Sequence, residues 1–492
     1  MSKYNTPGVY IKEKNTFDNP MVEAETAIPV FIGLTEKAAD GSKSLLNQPI
    51  KISSLTEYIN YFGGPPVHKF NISIATSAEA DALSVDCGND KLQAKLEGNL
   101  YTLYYHLTLF FANGGGTCYV LSIGNYKNKF SDKYREVKEN IFTAIKKVED
   151  ITMLVTPEAV NDNNCMNVYT DLLELCDSEK YFAILDIPTK YKEGVKGDTD
   201  IEKFRHAIGT TNLQFAAAYY PWLETYVLSD NDIDGAIMSF IPSDSYSGDV
   251  ILDECITNRL SDIEKADKNE KKRLRNDLHN TLLQDWPAYN LLAKKVKDYL
   301  NLLPSSAAIA GVYTRVDHTR GVWKAPANVS INYVNKPSEV ITNEDQEELN
   351  MPMNGKSVNA IRTFPGEGIK IWGARTLDGN SQDWRYIHVC RTMIFLEQSV
   401  KNAARTYVFE PNDAGTWINM KCMIENFLRS VWKRGGLAGA TPEDAYEVHV
   451  GLGDTMTAED ILESIMRITV LVAISRPAEF IEITFQQKMQ KS

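Results

Sequence analysis

The chain has 492 residues and carries 52 Lys and Arg against 65 Asp and Glu, a formal net charge of −13, with 43% hydrophobic residues. This composition is typical of a soluble globular protein with more than one core. Its acidity disfavours contact with nucleic-acid phosphates. No apolar run, the stretch Ile468 to Ile474 included, approaches the ~20 residues of a membrane-spanning helix, and no apolar signal segment opens the sequence. We therefore expect no nucleic-acid partner, no membrane insertion and no Sec export.

The seven cysteines are scattered along the chain. The closest pair is Cys165 and Cys176, and neither a CxxC motif nor a Cys/His cluster with zinc spacing occurs. This pattern predicts reduced, buried thiols in a protein made in a cytoplasm, and it predicts no metal site.

Strand-like apolar runs alternate with amphipathic helical stretches through the first half of the chain, which predicts an α/β fold with a mostly parallel sheet. A capping box, Ser54 with Glu57, opens the first helix. The predicted strands are Ile28–Leu34, Thr117–Ile123, Ile151–Val155, Tyr181–Ile187 and Phe215–Tyr220. The predicted helices are Ser54–Phe62, Asn99–Ala112, Tyr134–Glu149, Asn163–Cys176 and Ile201–Ile208.

Two stretches interrupt this alternation. Val67–Gly98 is rich in small and polar residues, and Asp253–Leu303 is a charged helical region whose Glu270–Arg273 run fits a solvated helix face. Both are predicted to be peripheral insertions. The predicted organisation is an arm and linker at 1–25, the start of the core at 26–65, an inserted α/β region at 66–305 with insertions near 67–98 and 228–303, a C-terminal core domain at 306–475 and a C-terminal arm at 476–492.

Beyond Ala307 strands and Gly/Pro turns give way to two predicted helices, Arg391–Arg405 and Trp417–Arg434. In the second helix Asp413 or Thr416 can cap the start, and Gly435 stops the end. Its core face carries Met420, Ile424, Phe427 and Val431, and its opposite face carries Lys421, Arg429 and Lys433. The segment from Arg385 to Ala440 contains eight Lys and Arg and only four Asp and Glu, which gives it a local charge of +4 in an acidic chain.

Three motifs suggest a ligand and fail on closer reading. Asp230–Gly235 matches the first half of an EF-hand loop, but Ile241 stands at the position of the bidentate Glu, which favours an acidic surface turn. The glycines after Asn113 follow a helix and precede a strand, so they predict a helix end at positive φ rather than a phosphate cradle. Gly355–Ser357 ends like a Walker A motif without its leading Gly.

The seven His are dispersed, and neither an HExxH pair nor a GxSxG elbow occurs. We therefore predict no catalytic residue, no cofactor and no enzymatic activity.

Short alternating strands stand near both ends of the sequence. Val9 and Ile11 alternate within Thr6–Glu13, and Ile481, Ile483 and Phe485 alternate just before a polar tail. So short a strand must add to the edge of a sheet. That sheet is either in its own subunit or in a neighbour, which would be strand exchange.

Several motifs resemble contractile tail sheath proteins in sequence and in order. The segments that carry the resemblance are Thr6–Ile11, Asn113–Val120, Ala217–Trp222, Ala310–Asp317, Arg320–Asn328, Asn359–Arg362, Trp372–Leu377, Phe409–Asn412 and Arg476–Ile481. The resemblance lapses at 67–98 and at roughly 228–303. It implies a multi-domain, mixed α/β sheath core with an inserted domain and extended N- and C-terminal strands for inter-subunit strand exchange.

The resemblance also implies a structural, non-enzymatic subunit of a contractile injection system. Such subunits polymerise as stacked hexameric rings around an inner tube and contract to drive the tube through a target envelope. The implied partners are other copies of the chain, the inner tube protein, and baseplate and cap or terminator proteins. Assembly would take place in a bacterial cytoplasm, and the particle would be released or form part of a virion tail.

Particular residues take roles from this resemblance. The inter-subunit strands would contain Val9, Tyr10, Ile11, Ile481, Ile483 and Phe485. The tube-facing surface would include Lys421, Arg429, Lys433 and Arg434, although these side chains also fit a solvated helix face or a contact with acidic residues of a neighbour. Two alternatives stay open: a tail terminator or baseplate protein with a sheath domain, and an α/β hydrolase.

Overall fold

The computed structural model describes residues 21–77, 79, 81–162, 164–189, 199–241 and 250–482. These residues form a mixed α/β, multi-domain fold with 14 α-helices and several sheets, which confirms the predicted fold class. Among the described residues two compact units are distinguished, one within 25–394 and 476–482 and one of residues 21–24 and 395–475. We call the second the C-terminal unit. The division falls within the helix Ile387–Ala404.

A nine-stranded sheet forms the centre of the first unit. Six consecutive strands of this sheet run parallel, and the strands outside them, two at one edge and one at the other, each pair antiparallel with their neighbours. All five predicted strands lie among the six, which confirms the parallel sheet. From edge to edge the strands are Val329–Ser330, Gly368–Trp372, Val358–Phe364, Ala216–Tyr220, Phe182–Asp186, Met153–Val155, Pro29–Thr35, Cys118–Asn125 and Pro49–Ile52.

Pro29–Thr35 is buried along its whole length, as expected for a parallel strand covered on both faces. The covering helices of this unit are Leu55–Phe62, Leu103–Ala112, Phe130–Lys146, Cys165–Glu179, Asp200–Ala207, Ser306–Arg320 and Asn343–Asn350. The remaining strands outside the insertion are Ala39–Asp40, Lys43–Ser44, Leu223–Thr225, Leu302–Leu303 and Val334–Pro337. The 3-10 helices of the described residues are Ala159–Asn161, Leu213–Phe215, Asp230–Asp232 and Arg405–Tyr407.

Helix ends differ from the predicted ones where distant residues provide the cap. The helix predicted from Asn99 begins at Leu103, because the Glu158 carboxylate accepts the N–H groups of Thr102 and Leu103. At the first helix, Ser54 Oγ accepts the N–H of Glu57 as predicted. The Glu57 carboxylate, however, accepts the N–H of Ser53, so only half of the predicted capping box forms.

The two interrupting stretches fold together. Lys69–Ala75 pairs in parallel with Met238–Phe240, so a strand of the first stretch binds a strand just before the second. Apolar residues of both stretches form a core separate from that of the main sheet. The elements are the strands Met238–Phe240, Lys69–Ala75, Asp90–Glu97 and Leu83–Cys87 and the helices Val250–Lys265, Lys268–Asp285 and Pro287–Asn301.

Local contacts of the described residues account for the motifs that suggested ligands. In the EF-hand-like turn, Asp230 pairs with Lys297 at 2.5 Å, Asp232 accepts the N–H of Ser229, and Asp234 accepts that of Ala236. These contacts confirm an acidic turn. Asn113 caps the end of the helix Leu103–Ala112, and Gly114 follows it at φ +96°, as predicted for a helix end.

The C-terminal unit is built around the helix Ala414–Lys433, which packs on a two-stranded antiparallel sheet. Asp413 caps the helix by accepting the N–H of Thr416, which decides between the two predicted caps, and Gly435 follows at φ +85°. The predicted core face is buried. The other elements of the unit are the helices Pro442–Ala445 and Ala458–Leu462 and the strands Tyr446–His449 and Thr469–Val472.

Candidate assembly site

Two buried carboxylates lie at the carboxyl ends of the parallel strands, the edge where doubly wound α/β proteins bind their ligands. The first, Glu158, follows the strand Met153–Val155. Its carboxylate accepts the N–H groups of Leu34 and Thr102, both at 2.7 Å, and of Leu103 at 3.1 Å. Burial raises the pKa of Glu158 to about 7, although the three N–H donors oppose the shift.

The second carboxylate belongs to Asp186, the last residue of the strand Phe182–Asp186. It accepts the N–H groups of Ser305 and Ser306, each at 2.8 Å, at the start of the helix Ser306–Arg320. Burial raises the pKa of Asp186 to about 6, against hydrogen bonds from the two serines.

A helix N-terminus carries partial positive charge and free N–H groups, and for that reason binds phosphates and other anions. At both of these helices a carboxylate of the chain itself occupies that position. The two carboxylates therefore join strands to helices, and the geometry here is that of an internally satisfied scaffold.

A buried arginine fixes the point at which the N-terminal segment enters the first unit. The Arg391 guanidinium binds the Asp317 carboxylate at 3.1 and 2.6 Å and donates to the carbonyl of Thr26 at 2.8 Å. It also lies 4.7 Å from the ring centre of Tyr313, whose hydroxyl contacts that of Tyr219 at 2.8 Å. We call Thr26, Asp317 and Arg391 the N-terminal anchor.

A second arginine fixes the point at which the C-terminal segment leaves the same unit. Arg375 donates from Nε and Nη2 to the two oxygens of Glu479, at 2.9 and 2.8 Å. Asn350 and the Tyr386 hydroxyl each donate to the same carboxylate at 2.8 Å. Arg375 is 3% exposed and Glu479 21%. We call Arg375, Asn350, Tyr386 and Glu479 the C-terminal anchor.

The anchor keeps Glu479 ionised. Burial acts to raise the pKa of Glu479, but hydrogen bonds from Arg375, Asn350 and Tyr386 outweigh it, and the pKa lies below its ordinary value of 4.5. A bidentate Arg–carboxylate pair also fixes orientation, so the direction in which the chain leaves is defined at this residue.

Only one of the predicted exchange residues belongs to the described part of the chain. Ile481 lies two residues beyond Glu479, is strongly exposed and belongs to no strand. The others fall outside the described residues: Val9, Tyr10, Ile11, Ile483 and Phe485.

The two-stranded sheet of the C-terminal unit has open edges. Among the described residues, Tyr446–His449 and Thr469–Val472 pair only with each other, and two strands alone are marginally stable. Seven of the 21 strongly exposed large apolar side chains of the described residues lie in 395–475, about a sixth of the chain. This concentration is typical of a surface that another chain covers.

The four predicted tube-facing residues differ in their surroundings. Lys421 lies 3.8 Å from Glu425, and Arg429 is exposed and donates to the Tyr446 hydroxyl at 3.3 Å. Lys433 is exposed. Arg434 pairs with Glu23 of the same unit, with one contact at 3.1 Å, so its charge is engaged within the chain. A contact of these residues with a tube stays a prediction.

Sequence reasoning did not identify the anchors. Asp317, Arg375 and Glu479 stood within the motifs that resemble sheath proteins, but no pattern said which partner each one has. Glu158 and Asp186 offered a usable signal, because each lies at or just beyond the carboxyl end of a buried strand, where a carboxylate can meet the N-terminus of a neighbouring helix.

Within the described ranges, no helix is both long enough and apolar enough to cross a membrane. The same residues contain no group of three or more His, Cys, Asp or Glu that could hold a metal ion.

The fold and its anchors thus belong to a scaffold whose terminal segments leave at fixed points. Two family models match the chain: the phage tail sheath protein central domain at residues 266–377 and the phage tail sheath C-terminal domain at residues 380–488. Over these two segments, which together make up just under half of the chain, the chain is similar to contractile tail sheath proteins.

Relatives support this similarity over part of the chain. The tail sheath protein of Salmonella phage ViI is 25% identical over 143 residues, which are 29% of this chain and 22% of the relative. The putative prophage major tail sheath protein of Pseudomonas aeruginosa strain UCBPP-PA14 is 28% identical over 114 residues, 23% of this chain and 27% of the relative. The matched segments therefore span only about a quarter of the length of these relatives.

Solved structures match over nearly the whole chain. The sheath complex of an extracellular contractile injection system, PVC, in its contracted state has a TM-score of 0.61 at 28% identity and covers 99% of both chains. The helical sheath of the anti-feeding prophage in its contracted state has a TM-score of 0.62 at 28% identity and covers 99% of this chain and 100% of the other. A chain in the baseplate structure of the anti-feeding prophage has a TM-score of 0.61 at 29% identity, over 99% and 100%.

Proposed function

We propose that the chain is the structural subunit of a contractile sheath, which polymerises as stacked hexameric rings around an inner tube and contracts to drive the tube through a target envelope. The observation that carries this proposal is the similarity, over 99% of the chain, to two sheaths in the contracted state.

Exchange of the terminal strands would hold this assembly together. The segment that contains Val9, Tyr10 and Ile11 and the segment that contains Ile481, Ile483 and Phe485 would each join the C-terminal unit of a neighbour. Three features support this: the anchors fix where both segments start, Ile481 is exposed beyond its anchor, and the sheet of the C-terminal unit has open edges. Contacts that do not close a ring produce an open helical assembly.

Contraction would draw on energy stored in the assembled lattice, with no nucleotide and no enzymatic step. A gain of about 1 kcal/mol of interface energy per subunit, small on the scale of interface hot spots, sums to a large driving force over many copies. The carboxylates of Glu158 and Asp186 at the two helix N-termini support a structural use of this fold, since they occupy the positions where an anionic ligand would bind.

The partners of such a subunit are other copies of the chain, the inner tube protein, and baseplate and cap proteins. Assembly would take place in a bacterial cytoplasm, followed by release as a particle or incorporation into a virion tail. The candidates for the tube-facing surface, or alternatively for a contact with acidic residues of a neighbouring subunit, are Lys421, Arg429, Lys433 and Arg434.

One observation favours a second candidate, a sheath-like protein of the baseplate that starts or ends the lattice. It is the similarity to a chain in the anti-feeding prophage baseplate structure, at 29% identity.

Negative-stain electron microscopy of the chain, alone and with its tube protein, tests the proposal. Hollow striated cylinders, short and wide alone or long and narrow around a tube, are the expected result. Monodisperse monomers or small closed rings under both conditions would favour the baseplate candidate. Deletion of Met1–Glu13 is expected to abolish polymerisation, and cylinders of normal length from this variant would refute strand exchange.

A further inference from the structure

Exposed apolar side chains from two distant segments flank the C-terminal anchor. The hydrogen bond from Asn350 to Glu479 brings the segments together. The apolar side chains one and three residues after Asn350, and one and two residues after Glu479, are between 59% and 105% exposed. We call these side chains the exit patch: Met351, Met353, Phe480 and Ile481.

An acidic helix borders the exit patch. Asn343–Asn350 ends at the residue that binds Glu479. Two of its carboxylates are used within the chain, since Asp345 caps the helix and Glu348 pairs with Arg205 at 2.6 Å. Glu344 and Glu347 are exposed, and within the described residues they form no ion pair. The surface around the exit is therefore apolar and negative.

The length of chain beyond the anchor restricts what can cover this surface. The predicted exchange strand has its central residue at Ile483, four residues after Glu479. Four residues span at most ~14 Å. The C-terminal unit that accepts this strand must therefore lie close to the exit patch. Under the strand exchange proposed above that unit belongs to a neighbour, so the occupant of the patch is a second copy of the chain.

The C-terminal unit offers a face of matching composition. Ile418, Lys421, Glu425, Arg429 and Lys433 follow one another at spacings of three and four, so they share one face of the helix Ala414–Lys433. Ile418 is 62% exposed, and the three basic residues exceed the single acidic one by two charges. This helix packs on the sheet that would receive the exchanged strand.

We propose that the exit patch and Glu344 and Glu347 of one subunit dock on the Ile418, Lys421, Arg429 and Lys433 face of the next subunit. This inference rests on the proposed sheath function and names the surfaces that meet where the C-terminal strand crosses. Apolar contact supplies affinity, and the opposite charges set the register. Met351 and Met353 suit a contact that must repack between two lattice states, because methionine is flexible and adapts to different neighbours.

Charge reversal with rescue tests this contact on the full-length chain. E344K/E347K is expected to raise the concentration needed for assembly about tenfold, and K421E/R429E/K433E at least as much, because each places like charges opposite each other. A chain with all five substitutions has complementary charges again and should assemble within about threefold of wild type. E139K/E174K, which reverses two exposed glutamates on other helices, is the matched control. The readout is the pelleted fraction against concentration, with and without the tube protein.

Three other outcomes would overturn the docking, and they show whether the sheath function fails with it. If the charge-reversed variant K421E/R429E/K433E assembles poorly only when the tube is present, these side chains contact the tube, and the docking is overturned. Normal assembly of both reversed chains, while deletion of Phe480–Ser492 abolishes it, would overturn the docking and leave the sheath function standing. A wild-type chain that never polymerises, alone or with tube, overturns the sheath function and the docking with it.

Discussion

Replacement of Glu479 by alanine should free the C-terminal segment while leaving the fold intact. Glu479 receives four hydrogen bonds, two from Arg375 and one each from Asn350 and Tyr386. Without the carboxylate, the 3% exposed guanidinium keeps only weak carbonyl contacts, to Asn350 at 3.3 Å and Gly379 at 3.5 Å. The loss is therefore mainly that of a buried charge without its counter-ion.

The magnitude follows from burial. Breaking a fully buried ion pair costs about 3–5 kcal/mol. Glu479 is partly exposed, so water offsets some of this cost, and we expect about 2–3 kcal/mol for E479A. At 1.4 kcal/mol per factor of ten, release of the segment becomes roughly 30- to 150-fold more frequent. E479Q keeps the shape of the side chain and some of the hydrogen bonds, so its segment should be released at a frequency between those of the wild type and E479A.

Amide hydrogen exchange of the backbone at 476–482 measures this release in the unassembled chain, with E482A as the control on an exposed neighbour outside the anchor. Because the folded pKa of Glu479 lies below 4.5, its contribution is present above that value and is lost as the pH falls through the lowered pKa. Equal exchange in E479A and wild type would show that the ion pair does not hold the segment, and the anchor argument would fail.

Two further predictions concern the core of the first unit. R391M leaves Asp317 buried without a counter-ion and should lower the free energy of unfolding, measured by denaturant titration, by about 3–5 kcal/mol. R391M/D317L removes both charges and should recover much of this loss. Strictly additive effects of the two substitutions would contradict the pairing. Burial raises the pKa of Glu158 from 4.5 to about 7. The contribution of this group to the free energy of unfolding is therefore fully present below pH 4.5 and is lost as the pH rises through 7. Between pH 4.5 and 7 the free energy of unfolding of the wild type should fall by about 3 kcal/mol more than that of E158Q. The same pH profile in both proteins would refute this assignment to Glu158.

The sequence predicted those parts of the fold that depend on local patterns. Strands such as Phe182–Asp186 are short, apolar runs between amphipathic helices, and this alternation specifies a parallel sheet before any long-range contact is known. The end of the helix at Gly114 and the cap at Asp413 follow from residue types at adjacent positions.

The anchors could not be predicted in the same way because their residues are far apart in sequence. Arg375 and Glu479 are 104 residues apart, and Arg391 and Thr26 are 365 apart. Register along a helix or strand says nothing about such pairs. The joint core of the two interrupting stretches was missed for the same reason, since the pairing of Phe70 with Met238 closes a loop that includes four strands of the main sheet.

The position of the N-terminal anchor also determines how the subunit resists tension. Three residues after Thr26 the chain enters Pro29–Thr35, which pairs in parallel with Cys118–Asn125 on one side and Met153–Val155 on the other. A pull on residue 26 along this strand acts on both rows of interstrand hydrogen bonds at once, in shear, so that the bonds must break together rather than one after another. The segment that would connect a subunit to its neighbour therefore begins at a strand in the middle of the sheet, where the chain is hardest to extract by force.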